Sequence, residues 1–358
     1  MQQPTTLTGF LEANGFRVRF YDLGRRIQKI TRNDFEKFEQ QQLAYPFPLQ
    51  QQAWFAILLT QKQSNLKEVQ SEPIIWFLRF PLDETGRLVL ASRDYFLHRL
   101  LEANLSNHTI TSEKSEQNVS DAALKDNPHV FKPRDDKLAI FHAIVTQSLK
   151  TPASRFYAHA KNYFSGEQGW DQWNFVGFQG IADLAVRFNE EDNAQVIANA
   201  IPHLPEQPLE ALCQCLENLP IPLNISTALQ HRLEQELALP APGNTTLSFI
   251  CRAVSLSESK TTINNVYQIV LSSDAANSPE VLSAFAARCW PWLSDQANAK
   301  LYLKALGNAD QATFNACITD LFYLPGMRDN LLSVIRDPNR PDKLAEKFGQ
   351  FMQDFFRK

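Results

Sequence analysis

The sequence predicts an α+β domain with a mainly antiparallel sheet, followed by an all-α irregular solenoid. From about Glu191 onward apolar residues recur at helical spacing, as in Leu209/Leu212/Cys213/Leu216/Leu219 and Leu282/Phe285/Ala286/Cys289/Leu293, so each segment carries one apolar stripe. The stripes repeat at nearly constant pitch. Val196, Leu229, Ile263, Leu301 and Leu332, anchors of alternate helices, lie 31 to 38 residues apart, the length of a two-helix unit. No consensus residues recur, so the period is structural. The first hundred residues instead alternate with period two between turn signals, the pattern of strands.

In order along the chain, Leu7, Phe10 and Leu11 define a short helix. Phe16 to Tyr21 reads as a strand with Phe16, Val18 and Phe20 on one face and Arg17 and Arg19 on the other. Asp22-Leu23-Gly24-Arg25 looks like a hairpin turn into Arg26 to Ile30. Thr31 to Glu39 is a short helix with Asn33 as its expected cap. Trp54 to Thr60 and Ile74 to Phe80 are further strands, and Asp83-Glu84-Thr85-Gly86 turns into another at Leu88 to Leu90. Arg93 to Ala103 closes the unit as a helix, and without βαβ alternation the sheet should be antiparallel. Residues 1–103 thus form the α+β domain. Residues 104–135 are polar, a linker or mobile loop that cannot offset its ordering entropy by burial, and 136–358 form the helical repeat domain.

Helix resumes at Asp136 to Leu149 and Pro152 to Phe164, ahead of an aromatic and glycine cluster from Gly166 to Gly180. In the array, Leu204-Pro205, Leu219-Pro220, Leu239-Pro240 and Leu324-Pro325 place a ring without an N–H where each stripe ends. Ser278-Pro279-Glu280 is an N-cap followed by proline at the first helical position, and Gly243-Asn244 and Gly307-Asn308 should supply left-handed or loop backbone. The connections are short, so neighbouring helices should run antiparallel.

At 358 residues, 44% hydrophobic and 21% charged, the chain can bury a core in each of two domains. Met1 to Thr6 has no basic region leading into an apolar run, and the longest apolar stretches, near Ala53 to Leu59 and Ile74 to Leu78, are too short to span a bilayer. A cytoplasmic protein is therefore expected. The five cysteines include no C-x-x-C and fall on helical core positions, which predicts buried thiols. The net charge of −4 conceals an asymmetry: residues 1–103 hold 13 Lys and Arg against 11 Asp and Glu, whereas 191–324 hold 6 against 13. An acidic array argues against nucleic acid as a partner.

The chain has no phosphate-cradling glycine loop, dinucleotide fingerprint, H-E-x-x-H or nucleophile elbow. Ser257-Glu258-Ser259-Lys260 fits S-x-x-K but lacks its supporting motifs, so it reads as a polar connector. His142 and His159 lie on consecutive predicted helices and suit a metal or a proton shuttle, yet no third ligand has recognisable spacing, which favours structural roles. The stretch Gly169 to Gly180 offers Trp170, Trp173 and Phe178 as candidate binding residues; packing of the two tryptophans at the joint between sheet and array is the favoured alternative. Arg17 and Arg19 suit an acidic partner or phosphate, in a stretch from Phe16 to Lys37 with seven basic residues, including Arg25 and Arg26, against three acidic ones. Ordinary solvation of an exposed sheet face is favoured there too. Leu344, Phe348, Phe351, Met352 and Phe355 form the stripe of a terminal helix that closes the array.

Tyr21-Asp22-Leu23-Gly24-Arg25-Arg26-Ile27, Ala53-Trp54-Phe55-Ala56 and Ile75-Trp76-Phe77-Leu78-Arg79-Phe80-Pro81-Leu82-Asp83, with the helical remainder, resemble an uncharacterised family of bacterial proteins catalogued as a domain of unknown function. The resemblance covers nearly the whole chain and implies a bacterial cytoplasmic protein, but supplies no catalytic residue, substrate or cofactor. The helix pairs also look like HEAT-type repeats, an architectural likeness. The leading expectation is a non-enzymatic interaction or scaffold protein that binds another protein through its array, without metal or cofactor. Glu210, Glu217 and Glu234 are read as outward-facing acids of that surface. The alternative is an enzyme whose site between the domains uses His142, His159, Asp171 or Asp183, recognisable by convergence of these groups in one deep pocket.

Overall fold

The computed structural model describes residues 6–61, 73–108 and 124–356, and within these the side chains of 103–108 and 355–356 are left aside. The chain forms two compact units, Met1–Pro133 with Tyr323–Pro325, and Arg134–Phe322 with Gly326–Lys358.

The first unit contains α1 (Leu7–Ala13), β1 (Phe16–Asp22), β2 (Gln28–Ile30), α2 (Arg32–Glu39), β3 (Gln52–Gln61), β4 (Ile74–Pro81) and α3 (Leu90–His108). Its four strands pair antiparallel in the order β2-β1-β3-β4. Phe20 lies opposite Ile30 on one side and Ile57 on the other, so the alternation along β1 sends Phe20 into the core with Phe16 and Val18 packed at its edge. Phe35 of α2 stacks on Phe20 with ring centroids 3.6 Å apart, and Phe55, Phe80 and Phe96 complete the aromatic core. Each such ring removed from water contributes on the order of 2 kcal/mol.

Helix caps join elements distant in sequence. The Glu39 carboxylate accepts from Leu7 N at 2.7 Å and Thr8 N at 3.1 Å, so the end of α2 caps the first turn of α1. The cap of α2 is Thr31, whose hydroxyl accepts from Asp34 N, and not Asn33; threonine precedes the first helical turn and can reach its orphan amide. Leu88 to Leu90 is no strand either. The Asp83 carboxylate collects the amides of Thr85 and Arg87, Leu88 makes a single bridge to Leu82, and α3 begins at Leu90, because the tight turn leaves no length for a ladder before the helical stripe starts.

Of the segment 104–135, residues 109–123 lie outside the described residues. Further on, Arg79 N donates to His129 O and Phe131 N to Phe77 O, so this stretch lines the free edge of β4, and Phe131 meets Trp54 edge-on at 4.9 Å.

The second unit contains α4 (Asp135–Ser148), α5 (Tyr157–Phe164), α6 (Phe178–Val186), α7 (Asn193–Ala200), α8 (Glu206–Leu216), α9 (Leu223–Leu237), α10 (Asn244–Val254), α11 (Lys260–Leu271), α12 (Pro279–Arg288), α13 (Gln296–Leu306), α14 (Gln311–Phe322), α15 (Met327–Ile335) and α16 (Asp342–Phe356). Helices touch mainly their first and second neighbours in sequence, and the second-neighbour contacts trace two rows. One row runs α4, α6, α8, α10, α12, α14, α16; the other runs α5, α7, α9, α11, α13, α15. The anchors Val196, Leu229, Ile263, Leu301 and Leu332 fall one each on α7, α9, α11, α13 and α15, successive members of a single row. Pro205 directly precedes α8 and Pro220 falls between α8 and α9, as expected, and Ser278 caps α12 with Pro279 at its start. Gly307 differs from expectation. Its φ is −62°, so it is not left-handed, and a Cβ there would lie a tight 3.1 Å from Leu344 N of α16. Gly243 has φ −75°, whereas Gly326, at φ +75°, is the left-handed residue that leads into α15. Leu344 and Phe351 of α16 are buried, as a closing helix requires.

Candidate functional site

In the first unit, Arg17 and Arg19 stand on the face of β1 opposite the core; Arg17 is exposed and Arg19 half-buried. Arg25 and Arg26 are fully buried, so the basic stretch does not form the continuous surface its composition suggested. The turn they occupy is folded inward around Asp22, whose carboxylate accepts from Gly24 N, Arg26 N and the Tyr45 hydroxyl, while Arg25 Nε donates to Pro48 O at 2.7 Å. Burial, reinforced by Asp22, pushes the Tyr45 phenol well above its ordinary pKa. This cluster holds the β1–β2 turn against residues 45–48 and is committed to structure.

In the second unit, Asp183 and Arg187 form a buried ion pair at 3.1 Å. Asp183 also accepts from Ser154 N, and Arg187 reaches Thr146 and the Thr151 carbonyl, so the pair secures the turn between α4 and α5. Asp183 is thereby engaged, while His142, His159 and Asp171 are exposed on α4, α5 and the short 3-10 turn Trp170–Phe175. Among the described residues no three His, Cys, Asp or Glu side chains converge to hold a metal ion. Ser257 is buried and its hydroxyl accepts from Ser259 N, as a connector would. All five cysteines are buried and none is in a disulfide.

Glu217 corrects the expectation of an outward-facing acid. It follows α8 and is 4% exposed, with Arg252 of α10 at 2.5 Å and Arg288 of α12 at 3.0 Å. Burial alone would raise its pKa, but Arg288 and Arg252 outweigh that and hold the carboxyl below its usual value. In the same row, Asp136 of α4 accepts from Arg134 and from Gln214 of α8. Partners such as Arg252, Arg288 and Gln214, two to four helices away, leave no local sequence signal. Glu210 is half-buried against Thr246, and Glu234 is exposed.

The aromatic segment is split between packing and exposure. Trp170 stacks on His203 at 5.5 Å and meets Tyr163 edge-on at 5.8 Å, both within the second unit. Trp173 and Phe178 are half-buried. The open residues are two that sequence reasoning did not select: Phe175 is 74% exposed, and Phe156 is 42% exposed. Glycines bring Phe156 against the segment that follows Phe175. The Phe156 ring comes within 4.0 Å of where a Gly177 Cβ would stand, two residues on from Phe175, and a Cβ on Gly180 would lie 2.5 Å from Phe156 O. Arg155 lies over the Phe156 ring at 4.9 Å. The glycines at 177 and 180 were the available signal, since they mark close approach of a second segment.

A family model described as a protein of unknown function (DUF3549) matches residues 2–352, so the chain belongs to that family. No curated protein and no solved structure matches it.

Proposed function

We propose that this member of the DUF3549 family is a non-enzymatic interaction protein that binds a protein partner, in the cytoplasm, through its helical array. The observation that carries the reading is the exposure of Phe156 and Phe175, the large aromatics left open in the second unit among the described residues. Rigid aromatic rings supply contact area at low entropic cost, and aromatic side chains are enriched at interfaces relative to the rest of the surface. A two-row helix stack suits the role, because it presents side chains from successive helices without needing a reactive centre. No helix of the described residues is long and apolar enough to cross a membrane.

The test is affinity capture from the native cells with the tagged full chain and with a Phe156→Ser, Phe175→Ser variant, followed by mass spectrometry. The variant should keep its circular dichroism spectrum and lose the partners retained by the parent. Identical captured sets from the two folded proteins would overturn the reading, and a His142→Asn, His159→Asn variant should capture as the parent does.

A further inference from the structure

Between α11 and the short 3-10 turn Trp290–Ser294, which leads into α13, lies a cavity of about 430 Å³ whose wall includes Lys260, Asn264, Tyr267, Trp292, Asp295 and Asn298, all from the second unit. Trp292 anchors two of the wall's amides. Its indole Nε1 donates to Asn264 Oδ1, and its main-chain carbonyl accepts from Asn298 Nδ2 at 3.1 Å. An indole N–H cannot accept and a carbonyl cannot donate, so neither amide can turn over. Among the described residues, Asn264 Nδ2 and Asn298 Oδ1 make no hydrogen bond, and Asn264 is exposed and Asn298 half-buried. The wall thus keeps one fixed donor on α11 and one fixed acceptor on α13, their spacing set by a single tryptophan. It carries one cation, Lys260, and one anion, Asp295, whose carboxylate also accepts from Ala297 N and Asn298 N. Charge is balanced, so the group that complements this wall is neutral.

We propose that this cavity binds the main chain of an extended segment of the partner protein, one residue of which donates its N–H to Asn298 Oδ1 and accepts at its C=O from Asn264 Nδ2. An extended residue presents its N–H and C=O along one edge, which is how it exchanges both bonds with a neighbour in an antiparallel ladder. A donor and an acceptor held side by side match that edge. Because the far end of each amide is already tied to Trp292, binding orders few side chains, and Tyr267 and Trp292, edge-on at 5.2 Å, back the wall with rigid rings. The helices α11 and α13 are successive members of one row, so the segment would lie across a joint of the stack. The assignment rests on the reading that the array binds a protein, and it adds a contact that uses neither Phe156 nor Phe175.

Titration of the full chain, followed through the side-chain amide signals of Asn264 and Asn298 by nuclear magnetic resonance, tests the proposal with three probes: capped tetra-alanine, the same peptide N-methylated at every residue, and maltose. Tetra-alanine should shift both signals at millimolar concentration. The methylated peptide, which has no N–H to give Asn298, should bind about tenfold more weakly, the equivalent of 1.4 kcal/mol. Asn264→Asp keeps Oδ1 for the indole and loses the free N–H, so it should melt as the parent does and bind tetra-alanine about tenfold more weakly. Equal affinity for the two peptides, or equal affinity of the parent and the folded Asn264→Asp variant for tetra-alanine, overturns the assignment. So does the absence of any shift at tens of millimolar, and so does binding of maltose in place of the peptide, which would make the cavity a sugar site. The Phe156→Ser, Phe175→Ser variant should bind tetra-alanine as the parent does, so failure of the aromatic anchors in the capture experiment and failure of this contact are read separately.

Discussion

Glu217 stands at the C-terminal end of α8, where the helix dipole disfavours a negative charge, and its stability there depends on Arg252 and Arg288. Removing the carboxylate leaves two guanidinium groups, each mostly buried, without their acceptor, so Glu217→Ala should cost about 3 kcal/mol in a denaturant melt. The same pair predicts a pH dependence. A carboxyl whose folded pKa is depressed stabilises the fold above its unfolded value and loses that contribution as pH falls through the folded value. The deficit of Glu217→Gln relative to the parent should therefore be full at pH 7 and shrink as pH drops below the ordinary glutamate value of 4.5. A deficit in melting temperature that stayed constant to pH 3 would show that the carboxylate charge is not what matters. Glu39 has the opposite sign: burial raises its pKa despite the amides of α1, so it must be separated from Glu217 by the mutant comparison and not by the whole-protein pH curve.

At the scale of elements, α5 and α6 are set by the absence of a side chain. Gly180 lies in the first turn of α6, and its missing Cβ lets the Phe156 carbonyl approach, which in turn places Phe156 beside Gly177. Since the clash of 2.5 Å would be with backbone, no rotamer change can relieve it. Gly180→Ala should destabilise the second unit by about 2 kcal/mol, the scale of overpacking, although alanine is the better helix former. A urea melt reads this directly, and an unchanged or raised midpoint would mean that α5 and α6 separate at no cost. The variant should also displace Phe156 and weaken whatever binding depends on it.

For the whole second unit, contacts between first and second neighbours make stability a sum of local terms and not one global quantity. Loss of the Glu217 pair should therefore loosen α8, α10 and α12 and fade with distance along the row. Hydrogen exchange on Glu217→Ala should show faster exchange in residues 206–288 than in the parent, with α16 nearly unchanged. Equal loss of protection from α4 to α16 would mean that the helices unfold as one cooperative body, and the neighbour-only account of the stack would fail.

Periodicity was enough to read α+β followed by stacked helices, because strand and helix spacing are properties of neighbouring residues. The apolar pitch even selected α7, α9, α11, α13 and α15, five successive helices of one row, and Ser278-Pro279 marked the start of α12. Local competition hid smaller features: Leu88 to Leu90 alternates like a strand, yet the turn at Asp83 and the stripe of α3 claim it. What tertiary structure decided was the fate of charge and of aromatic surface. Arg25 and Glu217 are hydrophilic in any sequence window and are buried because Pro48, or Arg252 and Arg288, meet them from elsewhere in the chain. Trp170, selected by composition, finds Tyr163 and His203, while Phe175 in the same segment finds no such cover. The desolvation of a charge or a ring depends on which distant atoms surround it, and sequence spacing carries no record of those atoms.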